Sequence, residues 1–585
     1  MRPIIVAFAA TGAATAARIA ELTGGELLPP DGAAAALPRL FGEGRPIIGV
    51  CAAGILIRLL APVLADKQSE PPVLAVAADG ASVVPLLGGH HGANRLAREL
   101  ADGLDGVAAL TTASDARFAH GLDEPPEGWV LENPDGVKAA TAKLLAGAQL
   151  RLAGDAAWLA AAGYPVASGG TVTVAATERA DAAADLVYRR KTLVAGVGCE
   201  RGAAADEVIA LITSTLAEAG LSPVSLAALA SIDLKADEAA LHIAAAHFAV
   251  PLRLFSRDAL AEESHRLPTP SAAVEAEIGI PGVAEAAALK AGTLLVAKRK
   301  SARATCAIGI AAAPIDVAAF GRARGTLHLV GIGPGDAPSR TAAATLALEA
   351  SSDWVGYGLY LDLIGDLRRR QQQHRFPLGD EEPRVRHALE LAATGRTVAL
   401  VCSGDAQIYA MAALVFELLE TPGSRAVSDA ARRVAVETHP GVSAFQAASA
   451  AAGALIGHDF CCISLSDLLT PRADIVRRLE AAAAGDFVTA LYNPRSGRRT
   501  ELLDSALASF RAHRPPDTPV VVGRSLGRPD ETVRVLPLSA VDPAEIDMLT
   551  ILVIGASTSR AFVRGDGATV AYTPRGYARK AEAAE

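Results

Sequence analysis

Short apolar runs recur along this chain, and most of them break at glycine. Leu327–Val330 is one; Gly331, Gly333, Pro334 and Gly335 follow, and then an alanine- and leucine-rich stretch from Thr341 to Ala350. That order predicts a buried strand, a tight turn and a helix. The order repeats. Ile4–Ala9 precedes a helix from about Thr15 to Leu22, and Pro46–Val50 runs into Cys51-Ala52-Ala53-Gly54 and a helix ending near Pro62. Val73–Ala77 is a third strand. Leu193–Gly196 enters Val197–Gly202 ahead of a helix over Asp206–Ala219, and the apolar run at Val398 enters Ser403-Gly404-Asp405. Thr293–Lys300 and Cys306–Ile310 read as a closing strand pair. Repeated strand–turn–helix units predict an α/β fold, and 585 residues exceed what one core holds, so the chain is multidomain.

Breaks in the pattern suggest boundaries. Asp123–Gly136 is rich in proline, glycine and acid and reads as a loop or boundary; a less distinctive region runs on to Arg190. A new domain opens near residue 191. Ala311–Gly325, with Pro314 and alternating small residues and arginine, reads as the main linker. The divisions expected are 1–122, 123–190, 191–312 and a linker over 313–325, followed by the C-terminal part.

Composition narrows the function. A net charge of -9 argues against nucleic-acid binding, and no basic tract is interleaved with aromatics. The six cysteines are scattered without CxxC spacing, which predicts reduced thiols and a cytoplasmic protein. The start reads as a first strand and not as a signal peptide, and no apolar run is long enough to span a membrane. No metal-ligand spacing is visible.

Polar residues gather at strand ends, where an α/β crevice needs them. The Gly331–Gly335 turn is not a Walker A loop and is a poor dinucleotide fingerprint, so a plain turn and a ligand turn both stand. In the first part, Gly88-Gly89-His90-His91-Gly92-Ala93-Asn94 sets two imidazoles at a helix start, suited to acid/base work or anion contact. Leu229–Glu238 carries Ser231, Asp233, Lys235 and Glu238; the plain reading is an exposed helix start. Thr111–Asp115 reads as a strand end or a helix cap.

Residues 326 to about 560 resemble the tetrapyrrole methyltransferases, through G-I-G-P-G-D, S-G-D-A-Q-I-Y, P-G-V-S-A-F and M-L-T-I-L-V-I-G. I-S-L-S-D-L-L-T-P and L-Y-N-P-R-S resemble the precorrin-3B C17-methyltransferases of cobalamin biosynthesis. The resemblance implies two α/β lobes, 326–437 and 438–562, with a tail over 563–585. It also implies S-adenosylmethionine as methyl donor, a tetrapyrrole substrate and a homodimer. By motif position, Pro334, Ser403, Gly404, Asp405, Ile408, Ser443, Ala444, Tyr492 and Asn493 border the donor. Gly358 stands where related enzymes carry an aspartate proposed as proton acceptor, so Tyr357, Asp467 and Arg495 are candidates for acid/base work. Arg495, Arg498 and Arg524 are candidate partners for substrate carboxylates.

Residues 1 to about 312 resemble the cobalt-precorrin-5A hydrolases. The stretches are G-I-L-I-R-L-L-A-P-V-L-A-D-K, L-L-G-G-H-H-G-A-N-R-L-A, G-V-G-C-E-R-G, A-S-I-D-L-K-A-D-E and P-G-V-A-E-A-A-A-L. Those enzymes open a ring lactone and release acetaldehyde. The resemblance makes His90 and His91 the catalytic candidates, with Arg58 and Lys67 as anion partners; the family has a single histidine here, and which of the two is equivalent stays open. A second expectation is a non-catalytic corrin-binding module.

Overall fold

The computed structural model describes residues 2–65, 70–111, 117–495 and 500–577. Lys67, Arg498 and most of the Thr111–Asp115 cluster lie outside the described residues, as does the side chain of His90. The chain forms two compact units: Met1–Ile232 with Glu238–Gly321, and Asp233–Asp237 with Arg322–Glu585.

The first unit holds three sheets. In the first, β1 (Ile4–Ala7), β2 (Glu26–Leu28), β3 (Ile47–Val50), β4 (Val73–Val76), β5 (Ser82–Leu87) and β6 (Val107–Ala108) lie in the order 2-1-3-4-5-6. β1 to β4 run parallel, and β5 runs against β4. Ile5, Ile48 and Leu74 enter one core and Ile4, Ile47 and Val73 the other, so both faces are covered and the strands read as continuous apolar runs.

The second sheet joins β7 (Trp129–Leu131), β8 (Leu150–Ala153), β9 (Val172–Ala176) and β10 (Leu186–Arg190) in the order 7-10-9-8. The stretch read as a loop thus contains a strand, β7, paired antiparallel with β10. A three-residue strand between proline and glycine leaves no periodicity to detect. What holds it is aromatic: Trp129 meets Trp158 edge-on at 6.4 Å, and Trp158 meets Tyr188 at 5.3 Å.

In the third sheet β11 (Leu193–Cys199), β12 (Leu226–Ile232), β13 (Leu252–Phe255), β14 (Thr293–Lys300) and β15 (Ala304–Ile310) lie in the order 13-12-11-15-14. β14 and β15 are antiparallel neighbours. The helix Ala284–Leu289 packs so closely that a Cβ on Gly196 would stand 2.0 Å from the Ala284 carbonyl. Leu229 is not a helix start: it lies in β12, whose seven residues are all buried. The expected linker is anchored as far as Gly321. Arg253 donates to the carbonyls of Phe320 (2.6 Å) and Gly321 (2.8 Å), and Phe320 sits edge-on to Phe255.

The second unit begins with a parallel sheet of β16 (Thr326–Gly331), β17 (Asp353–Tyr357), β18 (Gln372–Phe376), β19 (Thr397–Cys402) and β20 (Ala435–His439), in the order 18-17-19-16-20. After β21 (Gly453–Ala454) comes a mixed sheet of β22 (Phe460–Ser464), β23 (Val488–Tyr492), β24 (Pro519–Arg524), β25 (Thr532–Pro537) and β26 (Thr550–Ile554), in the order 22-23-26-24-25. The stretch read as a tail contains a further strand: β28 (Thr569–Tyr572) pairs with β27 (Arg560–Val563) and β21. Among the described residues no helix is long and apolar enough to cross a membrane.

Candidate functional site

In the second unit the chain leaves β16 toward β17, across β19, and leaves β19 toward β20, across β16. Connections that part in this way open a crevice at the carboxyl ends of the two strands. The glycine turns meet there. The Gly404 N–H donates to the Gly333 carbonyl (2.8 Å) and the Gly333 N–H to the Gly404 carbonyl (3.1 Å), with φ of +77° at Gly333 and +68° at Gly404. A third turn follows β20. A Cβ on Gly441 would lie 2.1 Å from the Gly404 carbonyl oxygen and 2.6 Å from that of Gly331, so only glycine fits.

Asp405 ties two of these turns. It is 7% exposed. Its Oδ1 accepts the Gln407 N–H (2.8 Å) and its Oδ2 accepts the Gly441 N–H (3.0 Å). Both carboxylate oxygens are thus engaged by the backbone of the unit. Pro334 is buried, while Ser403 and Gly404 are half-buried.

The second lobe reaches the same place. Ser443 caps the helix Ala444–Ala452, its N–H donating to Gln446 Oε1 (3.0 Å). The Tyr492 hydroxyl, at the end of β23, accepts the Phe445 N–H at 3.4 Å. Ile408, Ala444 and Tyr492 border one apolar cluster. Burial pushes the Tyr492 phenol upward, which keeps it a neutral hydroxyl. Asn493 has φ of +49° and donates from Nδ2 to Ser464 Oγ (3.1 Å). The Gly333–Gly404 pairing, the Asp405–Gly441 bond and the approach of Gly404 to Ser443 bring Ser403, Gly404, Asp405 and Ser443 together, and Ile408, Ala444 and Tyr492 border one cluster beside them; Pro334 follows the paired Gly333, and Asn493 follows Tyr492.

Sequence reading passed over Tyr409. It takes φ of +52°, an uncommon state for a bulky residue, and its hydroxyl donates to the Cys462 carbonyl at 2.7 Å. Its ring stands 5.1 Å from that of Tyr492. The only cue in the sequence was its place at the end of S-G-D-A-Q-I-Y.

The acid/base candidates are dispersed. Tyr357 ends β17 beside Tyr360, their rings 5.2 Å apart. Asp467 is exposed in the loop after β22, next to Leu468 (84% exposed) and Leu469 (98%). Arg495 donates to the Pro543 carbonyl. Arg524 is held by two carboxylates, Asp547 (2.8 Å) and Asp530 (3.2 Å), so its charge is already matched.

The first unit has its own switch point, between β1 and β3. A cleft of about 480 Å³ opens there, lined by Phe8, Thr11, Gly12, Cys51, Ala78 and Ser82 among others. Among the described residues of its lining Cys51 is the only titratable side chain, and burial pushes that thiol up. The histidine turn sits at the other end of the sheet. Gly89–His91 form a single 3₁₀ turn between two left-handed glycines, Gly88 and Gly92. His91 borders a recess with Pro3, Pro46 and Pro72, which precede β1, β3 and β4. Arg58 donates to the Gly54 carbonyl of its own helix (3.0 Å). In the third sheet, Ser231 Oγ donates to the Val197 carbonyl (2.7 Å) and buried Glu238 accepts the Gly202 N–H (3.0 Å), so these residues brace the G-V-G-C-E-R-G turn.

Family models match in three places: "Cobalamin synthesis G N-terminal" over residues 35–115, "Cobalamin synthesis G C-terminus" over 193–309 and "Tetrapyrrole (Corrin/Porphyrin) Methylases" over 326–542. A Sinorhizobium protein named precorrin-3B C(17)-methyltransferase is 41% identical over 254 residues, 43% of this chain and 98% of that protein. The cobalamin biosynthesis protein CobIJ of Mycobacterium bovis is 42% identical over 258 residues, 43% of this chain and 48% of that protein. The cobalt-factor III methyltransferase of Priestia megaterium is 40% identical over 257 residues, 44% of this chain and 46% of that protein. The chain thus spans about half the length of these last two relatives. Through the match that covers nearly all of the Sinorhizobium protein, the chain belongs to the tetrapyrrole (corrin/porphyrin) methylase family, with N- and C-terminal modules of the cobalamin synthesis G type ahead of the methylase.

Proposed function

We propose that the second unit transfers the methyl group of S-adenosylmethionine to C17 of precorrin-3B or cobalt-factor III, and contracts the macrocycle, in cobalamin biosynthesis. The observation that carries this is the meeting of three glycine turns at the β16–β19 switch point, joined from the second lobe by Ser443 and Tyr492. The crevice fits such a donor. A Cβ on Gly404 would have no neighbour nearer than Ser443 Cα at 3.8 Å, so open space adjoins exposed peptide edges. The donor brings an already activated methyl group, so the protein's part is alignment and exclusion of water. Asp405 does that part indirectly, by fixing the 440–443 turn against the 403–405 turn. The Tyr409–Tyr492 pair offers aromatic faces at the mouth of the crevice. When the ring carbon takes the methyl, the sulfur keeps the bonding pair and the ring sheds a proton. Of the three candidates, Asp467 is the carboxylate, and the exposed leucines beside it are apolar surface for a flat macrocycle to cover. Tyr357 and Arg495 serve as positioning groups.

For the first unit we propose action on the ring lactone of a later intermediate, with His90 and His91 as acid and base. One observation favours the second reading, a corrin-binding module without catalysis. Among the described residues the cleft at its switch point offers only the Cys51 thiol and the Thr11 and Ser82 hydroxyls as polar side chains, and His91 lies at the opposite end of the sheet. The free state of all six thiols supports a cytoplasmic enzyme. Exposed Leu346 and Phe416 support a homodimer through the methylase part. Mass spectrometry of products tests the whole reading. One methyl added to precorrin-3B or cobalt-factor III is expected from the second unit, and acetaldehyde from a ring-contracted lactone if the first unit is catalytic. Methyl transfer without acetaldehyde selects the binding module, and absence of methyl transfer overturns the principal proposal.

A further inference from the structure

No metal-ligand spacing is visible along the chain, yet the fold assembles one. His328 lies in the middle of β16, and Glu437 and His439 end the neighbouring edge strand β20. His328 is in register with Glu437, and Val330 with His439. Alternate residues share a face, so all three side chains project from the same side of the sheet. Their donor atoms converge. His328 Nδ1 is 3.0 Å from His439 Nε2 and 3.4 Å from Glu437 Oε2, and His439 Nε2 is 4.0 Å from the same oxygen. Metal–ligand bonds of about 2.0–2.1 Å in a tetrahedral site set donor atoms about 3.3–3.4 Å apart. The observed triangle brackets that spacing.

Hydrogen bonding alone satisfies this triangle poorly. If the His439 Nε2–H donates to His328 Nδ1, that nitrogen's one lone pair is taken up, and the Glu437 oxygen stands 3.4 Å from it with no proton between them. If His328 Nδ1 carries the proton, one N–H serves two acceptors and the His439 nitrogen faces the carboxylate unprotonated. His328 is buried, so water does not relieve the conflict on its side, whereas the Glu437 side chain is 58% exposed and opens a path to solvent. Two imidazoles and one carboxylate with an open fourth position are a ligand set for a borderline divalent transition metal.

We propose that His328, Glu437 and His439 bind one divalent transition-metal ion, zinc or cobalt(II), with solvent in the remaining position. The ion ties the edge strand β20 to β16 just ahead of Gly441 and Ser443. It is a structural clamp beneath the third glycine turn, and its occupancy is independent of whether the crevice transfers a methyl group.

The test uses the full chain, stripped of metal by a chelator and titrated with Co²⁺, then with Zn²⁺ as competitor. Visible d–d absorption and equilibrium dialysis with metal analysis are the readouts. One equivalent is expected, with the spectrum of four- or five-coordinate cobalt, bleached by zinc. Glu437→Gln and His439→Ala, on an edge strand, are expected to weaken binding by more than the roughly ten- to hundredfold that loss of an outer-shell partner costs. His458→Ala, at an exposed histidine elsewhere in the unit, leaves it unchanged. Zinc is also expected to raise the unfolding temperature of the parent chain and not that of Glu437→Gln, a readout that holds if His439→Ala folds badly. Absence of saturable cobalt binding below millimolar concentration overturns the proposal. So does parental binding in Glu437→Gln and His439→Ala, which would leave a histidine–histidine hydrogen bond and nothing more.

Discussion

Replacing Asp405 by asparagine keeps the shape of the side chain and removes its charge and one acceptor. In the parent chain the carboxylate receives the Gln407 and Gly441 N–H groups at 2.8 and 3.0 Å, in a nearly buried position. Hydrogen bonds to a charged group contribute about 1.5–3 kcal/mol each. The amide oxygen retains one of them, while its NH₂ faces the other N–H, donor against donor. The expected destabilisation of the second unit is therefore about 2–4 kcal/mol, which lowers its unfolding temperature by roughly 10 °C for a unit of this size. The loosened 440–443 turn then has to be reordered when the donor binds. Charging about 1.4–2.7 kcal/mol of that cost to binding predicts a ten- to hundredfold loss of affinity. Scanning calorimetry and titration calorimetry with S-adenosylhomocysteine, both on the full chain, read the two effects. A brace predicts that they fall together. Weaker donor binding at an unchanged unfolding temperature would mean that Asp405 touches the donor directly, and no change in either would refute the reasoning.

Gly441→Ala is expected to abolish donor binding, because its Cβ would overlap the Gly404 and Gly331 carbonyls; retained binding in calorimetry would show that the three turns are not packed as described. A chain of residues 322–585 is expected to keep methyl transfer by product mass spectrometry, since the Sinorhizobium relative consists almost wholly of that region. His387 sets a pH dependence: burial first, and then the charge of His374, hold its folded pKa below the usual histidine value against the opposing pull of Asp353. A depressed folded pKa means that the unfolded chain binds the proton more readily. The contribution is then full above about pH 6.5 and lost as pH falls through the folded pKa, and His387→Gln is expected to flatten unfolding temperature against pH in that window. Ala52→Trp, at the exposed rim of the first unit's cleft, is expected to block corrin binding there while circular dichroism stays unchanged.

The strand–turn–helix units of both parts are legible in the sequence because each rests on neighbours in the chain: an apolar run, then glycine, then alanine and leucine. β7 and β28 are not, because three or four residues between turn formers carry no period; β7 owes its place to β10, far along the chain, and β28 to a hairpin with β27 and to the distant β21. The anchoring of the linker is illegible for a related reason. Pro314 and the small residues around it look loose, but Arg253, far back in β13, holds the carbonyls at Phe320 and Gly321. Side-chain roles follow the same rule. S-G-D marks Asp405 as polar at a strand end, while the partner that makes it a brace, Gly441, comes 36 residues later.

The histidine turn shows where local reading stops. Its glycines do what the pattern implies: Gly88 and Gly92 take the left-handed states that a tight turn needs. Location is a different matter, because it depends on strand direction. β5 runs antiparallel to β4, so the turn that follows it returns to the amino end of the parallel strands. Had β5 been parallel, the same residues would stand at the end of the sheet that holds the β1–β3 crevice, and the acid/base reading would have geometry on its side. Strand direction is decided by pairing across the sheet. In this sheet it separates the histidine turn from the cleft, and that separation is why acetaldehyde release, and not methyl transfer, is the measurement that decides what the first unit does.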